Sequence, residues 1–124
     1  MSFSVRARLR SFRFAFRGLG ELVVSQHNAR IHLAASILVV LMALFFAVKP
    51  VEWALLVFAV TIVWVAEALN TAIEYVCDLV SPEYNSLVRK AKDVAAAAVL
   101  IAALGAVLVA VVVFLPYFSA LIHT

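Results

Sequence analysis

Charge is what this sequence has least of. Only 14% of its 124 residues are Asp, Glu, Lys or Arg, while 67% are hydrophobic. An ordinary soluble domain is about a quarter charged and half apolar. A chain this short cannot bury such an excess in water, so a soluble globular monomer is excluded and a membrane protein follows. One cysteine excludes an intrachain disulfide framework and a cysteine-based zinc site. Glycine is also scarce, at three residues, and no G-x-x-x-x-G-K-S/T phosphate loop occurs. The three prolines, Pro50, Pro82 and Pro116, stand at the borders of apolar runs. The first 30 residues lack the continuous apolar core of a signal peptide.

What remains is long apolar runs. Ile31 to Val48 is the first, and the second follows Pro50 and is uncharged from Trp53 to Ala66. The third is alanine-rich, carries Gly105 and ends at Pro116. Each can cross a hydrocarbon core of about 30 Å as a helix. The expected fold is an all-α membrane protein forming one domain over residues 1–124: a helix over 3–25, then spans over 30–48, 51–80 and 92–116. Pro50 suits the first turn of the second span, and Ser81-Pro82 has the look of an N-cap followed by an N1 proline. Nine of the ten Lys and Arg residues lie before residue 31 or between 89 and 92. The positive-inside rule places the N-terminus and the 81–92 loop in the cytoplasm, and the turn around Lys49 outside.

Residues 3–23 have a different pattern. Val5, Leu9, Phe12, Phe16, Leu19 and Val23 recur at helical steps, with Arg6, Arg10, Arg13 and Arg17 following the same rhythm. Such a basic amphipathic helix lies in the interface on anionic lipid. Tied to a span, the basic stripe points to lipid rather than nucleic acid.

The few acids are the informative residues. Glu67, Asn70, Glu74 and Asp78 step by three, four and four, so they share one helical face. The row starts after 14 uncharged residues, and carboxylates so close to hydrocarbon are costly unless they face protein, water or cations. A short loop returns Lys92 and Asp93 to the same end of the membrane. Carboxylate oxygens suit Mg²⁺, which keeps water and phosphate oxygens as further ligands, and a lysine beside them neutralises phosphate. These parts make a phosphoryl-transfer centre; proton relays and cation sites of transporters use similar carboxylates, and the residues alone fit either. The cluster Gln26-His27-Asn28-Ala29-Arg30-Ile31-His32 sits where the N-terminal helix meets the first span and reads equally as an interfacial anchor.

The strings Glu67-x-x-Asn70-Thr71-Ala72-Ile73-Glu74-x-x-x-Asp78, Ser81-Pro82-Glu83-Tyr84 and Ala91-Lys92-Asp93 resemble the prokaryotic diacylglycerol kinase and undecaprenol kinase family, with a likeness running from Phe12 to about Pro116. The resemblance implies a homotrimer in the bacterial inner membrane that uses MgATP to phosphorylate a lipid hydroxyl. It implies Glu67 as general base, Glu74 as magnesium ligand, and Asn70 and Asp78 in support. It implies nucleotide contacts from Phe14, Glu74, Glu83, Tyr84, Asn85, Lys92 and Asp93, and a lipid path lined by Asn28, Arg30, His32 and Ala96. Three positions depart from the family pattern. Gln26 stands where a second metal-binding glutamate is usual, keeping a carbonyl oxygen but losing the charge. Asn85 replaces a histidine, and Phe14 a tyrosine. Asn28 to His32 and Ser81 to Tyr84 lean towards the undecaprenol kinase branch. Gln26 also admits a weakened family member acting as a lipid-binding subunit.

Overall fold

The computed structural model describes residues 2–124. Four helices follow in order: α1 (Val5–Ser25), α2 (His27–Phe46), α3 (Pro50–Val80) and α4 (Ser86–Ile122). Helices α2, α3 and α4 are each long and apolar enough to cross a membrane. Large side chains on their outer faces, among them Phe45, Leu108 and Val112, are exposed in the single chain. Lipid tails can cover such faces without penalty, and water cannot.

Local signals explain most boundaries. Ser4 caps α1 by accepting from the Ala7 N–H at 3.3 Å, as serine does at N-caps. Gln26 adopts an extended conformation (φ −112, ψ 122) and breaks α1 from α2. Helix α2 ends at Ala47, which is left-handed at φ 49, ψ 52. There the Val48 N–H donates to the Ala43 carbonyl and the Ala47 N–H to that of Leu44, each at 3.2 Å. These are the paired bonds of a Schellman end. Lys49 is then extended, as a residue before proline must be, and Pro50 opens α3 as expected.

Two expected boundaries are corrected. Ser81 and Pro82 start no helix: Ser81 ends α3, and its hydroxyl donates to the Glu83 carbonyl at 3.0 Å. Asn85 does the capping instead, its Oδ1 accepting from the Leu87 and Val88 N–H groups at 2.9 and 3.2 Å. The helix that carries the third span therefore begins at Ser86 rather than 92. Nor does it stop at Pro116, since α4 continues to Ile122. A proline costs one N–H, a loss that packing can offset in a membrane helix. Residues on both sides of Pro116 are held by Phe46, whose ring lies 4.9 to 6.2 Å from those of Phe114, Tyr117 and Phe118. The Tyr117 hydroxyl also donates to Glu52, which in turn accepts from the Lys49 N–H.

Ala43, Val48, Leu56, Val113 and Phe114 bury together at this end, clamping α2, α3 and α4. From there α3 and α4 run antiparallel and packed along their lengths. With 31 and 37 residues they reach roughly 46 and 55 Å, more than the hydrocarbon needs. The surplus carries the polar residues.

The left-handed Ala47 yields a stability prediction. An L-residue pays about 1–2 kcal/mol there that glycine avoids, partly offset by glycine's chain entropy. Ala47→Gly is expected to raise stability by about 0.5–1 kcal/mol, read as a higher midpoint of unfolding in detergent micelles.

Candidate functional site

Along the last four turns of α3, the polar row passes from full burial to solvent. Glu67 is 1% exposed, the largest wholly buried side chain among the described residues. Asn70 and Thr71 are buried, Glu74 is half-buried and Asp78 is exposed. The Asn70 Nδ2 donates to Glu74 Oε1 at 3.4 Å. At the far end, the Lys92 ammonium of α4 donates to Asp78 Oδ1 at 2.5 Å. The carboxylate row and the start of α4 therefore meet, as the sequence suggested.

Helix α2 brings His32 to Glu67. His32 Nε2 stands 3.6 Å from Glu67 Oε2, too long for a hydrogen bond. Among the described residues, four buried polar atoms have no hydrogen-bond partner: His32 Nε2, Glu67 Oε2, Asn70 Oδ1 and Thr71 Oγ1. Such atoms cost about 1–3 kcal/mol each when unmet, and native interiors leave few. Three of them lie between Glu67 and Thr71 of α3, and the fourth faces Glu67 from α2.

Helix α1 is tied to the same region. The Tyr75 hydroxyl donates to Glu21 Oε1 at 3.1 Å and lies 3.1 Å from the Ser25 hydroxyl. The junction carrying Gln26 thus lies against the turn of α3 carrying Glu74 and Tyr75. A groove of about 530 Å³ opens between the helices, walled by Ala15, Gly18, Ala68, Ala72 and the buried Thr71. Glu21 and Tyr75 close one side of it.

The other candidates are spread around this centre. Arg30 is engaged with the end of α1, donating to the Val23 carbonyl at 3.0 Å and also to that of Val24. A basic side chain at a helix C-terminus satisfies carbonyls that the helix leaves open. Asn28 and Ala96 are exposed. Phe14 is exposed, with the Arg17 guanidinium over its ring. Asp93 pairs with Arg89 of its own helix at 3.4 Å rather than with the α3 row. Glu83, Tyr84 and Asn85 line a polar cleft of about 150 Å³ together with Asp78, Arg89 and Lys92. Among the described residues, no three His, Cys, Asp or Glu side chains converge on one point.

Residues 13–114 match the pattern of the family described as prokaryotic diacylglycerol kinase. The chain belongs to this family. It is 39% identical over 107 residues to a diacylglycerol kinase of Synechocystis, covering 86% of this chain and 61% of that protein. It is 32% identical over 107 residues to the undecaprenol kinase of Bacillus subtilis, covering 86% and 87% of the two chains. The diacylglycerol kinase of Escherichia coli is 36% identical over 95 residues, with 77% and 78% covered. Membership places the chain among lipid kinases, and its three apolar helices make it a membrane protein.

Sequence reasoning missed Tyr75 as the partner of Glu21 and Ser25, because contacts 54 and 50 residues apart have no periodic signature. Tyr75 is the tether that can be cut most cleanly. Tyr75→Phe is expected to speed amide hydrogen exchange in residues 15–25 severalfold while leaving the centre of α3 unchanged, as measured by mass spectrometry in nanodiscs.

Proposed function

We propose that the protein transfers the γ-phosphoryl group of ATP to the hydroxyl of a membrane lipid alcohol, undecaprenol or diacylglycerol, at the cytoplasmic face of the bacterial inner membrane. The observation that carries this reading is the wholly buried Glu67 at the apolar end of a polar row whose other end holds Lys92. A base must reach the proton it removes, and a hydroxyl on a lipid arrives from the hydrocarbon side. Nucleotide phosphates arrive from water, where Asp78 and Lys92 stand.

The lipid oxygen forms a bond to the γ-phosphorus as its proton passes to the Glu67 carboxylate. The bond from that phosphorus to the bridging oxygen breaks, and ADP leaves with the electron pair. Phosphoryl transfer asks the protein mainly for positioning and charge neutralisation. Lys92 supplies positive charge, while Asn70 and Asp78 hold Glu74 and Lys92 in place. Phe14, Glu83, Tyr84, Asn85 and Asp93 contact the nucleotide, and Asn28, Arg30, His32 and Ala96 line the lipid path.

Magnesium fits the donor set. Glu74 and the amide carbonyl of Gln26 offer hard oxygen donors on adjoining segments, and magnesium takes one or two such ligands beside water and phosphate oxygens. Bound with ATP, it would neutralise charge on the phosphates. With one carboxylate instead of two, its affinity is set lower.

Assembly and orientation belong to the same proposal. The polar cleft of about 150 Å³ is smaller than the roughly 300–1,000 Å³ typical of small-molecule sites. One chain does not enclose ATP, which supports a homotrimer with sites shared between subunits. Helix α1, apolar on one side and basic on the other, lies in the cytoplasmic interface.

Replacing Glu67 by Gln keeps the shape and removes the base, so kcat is expected to fall by about 10²–10⁴-fold with the oligomer intact on size-exclusion chromatography. Wild-type turnover in that variant would refute the base. Gln26→Glu restores a charged donor and is expected to lower the magnesium concentration needed for half-maximal activity severalfold. Activity appearing only in Gln26→Glu would instead favour a lipid-binding subunit that has lost its catalysis.

A further inference from the structure

The geometry points to His32 as a positioning residue for the Glu67 carboxylate, beyond any part it takes in lining the lipid path. Helices α2 and α3 meet here through two rungs. In the lower rung, the Trp64 Nε1–H donates to the Ser36 hydroxyl at 3.0 Å, and that hydroxyl donates to the His32 carbonyl at 2.6 Å. Trp64 precedes Glu67 by three residues and Ser36 follows His32 by four, so the second rung lies one turn along on the same faces. It joins His32 Nε2 to Glu67 Oε2 at 3.6 Å.

Both atoms of this second rung are buried and lack any other partner. A bare carboxylate oxygen in such a setting needs a donor. The Thr71 hydroxyl one turn along α3 is also unengaged, but His32 is the group that faces Oε2, and the other neighbouring donors are committed. Arg30 serves the Val23 and Val24 carbonyls, Asn70 serves Glu74, and Lys92 serves Asp78. The lower rung fixes the register of the two helices, so closure by roughly half an ångström brings His32 Nε2 to hydrogen-bond distance. With its hydrogen on Nε2, a neutral imidazole donates to Oε2. Oε1 is then left to receive the proton of the lipid hydroxyl. His32 itself gains no proton and touches no reacting atom.

This role presupposes the base proposed for Glu67, so the two are tested together. Kinetics of His32→Leu, His32→Gln and Glu67→Gln are measured with saturating series of both substrates in nanodiscs, alongside thermal unfolding. His32→Leu removes the donor and is expected to lower kcat by roughly 10- to 100-fold, the worth of a hydrogen bond to a charged group. KM for MgATP should stay within about twofold. His32→Gln carries an amide donor of similar reach and is expected to recover most of the lost kcat. Adding His32→Leu to Glu67→Gln should cost little more, because a positioning residue has nothing left to position.

Rescue by glutamine separates a lost donor from a damaged fold. An unchanged kcat with a raised lipid KM in His32→Leu overturns the inference and leaves His32 as a lipid contact only. Equal loss of kcat in both His32 variants also overturns it. If Glu67→Gln is inactive while His32→Leu turns over as wild type, the positioning role alone fails. Full activity in Glu67→Gln removes the base and the positioning role together.

Discussion

The structure turns on the cost of keeping a carboxylate out of water. Glu67 is wholly buried, and the protein supplies its Oε2 with no hydrogen bond. A group in that condition is expensive in any interior and more so near hydrocarbon. The cost is sustained by tight packing elsewhere, chiefly the cluster of Ala43, Val48, Leu56, Val113 and Phe114 at the opposite end of the bundle. The packed cluster and the proposed reaction site thereby stand at different ends of the same helices. The aromatic clamp on Phe46 and the Schellman end at Ala47 hold three helices together at the end away from the polar row. The long run of α3 and α4 carries that rigidity to the polar end.

Between Glu67 and Asp78 the environment changes from apolar to aqueous over three turns. This gradient is what a reaction between a lipid and a water-soluble phosphate donor requires. Each carboxylate meets a different neighbour: an imidazole at Glu67, an amide at Glu74 and an ammonium at Asp78. Helix α1 adds the third side through Glu21, Ser25 and Tyr75. The Arg30 clasp on the end of α1 fixes the sharp junction that carries Gln26. An arginine that reads in sequence as a lipid contact thus has a structural task as well.

Much of this was legible in the sequence, and the gaps have identifiable causes. The three spans follow from long apolar runs, and the polar row follows from helical spacing at Glu67, Asn70, Glu74 and Asp78. The meeting of Lys92 with Asp78 follows from a short loop between antiparallel helices. Local end signals were less dependable. Ser81-Pro82 resembles a helix start, but Asn85 lies within reach of two N–H groups and takes that position. Pro116 resembles a stop, yet packing of Phe46 against α4 carries the helix past it. Contacts between distant segments were the least legible. Nothing in the spacing joins Tyr75 to Glu21 or His32 to Glu67, because these pairs depend on how helices are rotated and set against one another.

In the proposed reaction, a chain so poor in charge uses its few carboxylates to move phosphate onto lipid. The most direct test follows γ-labelled ATP with purified wild-type protein in nanodiscs containing undecaprenol or diacylglycerol. Labelled lipid phosphate is expected, formed one for one with ADP and dependent on magnesium. No label in either lipid, together with proton flux through the protein in liposomes without ATP, would contradict it and identify the polar row as an ion pathway.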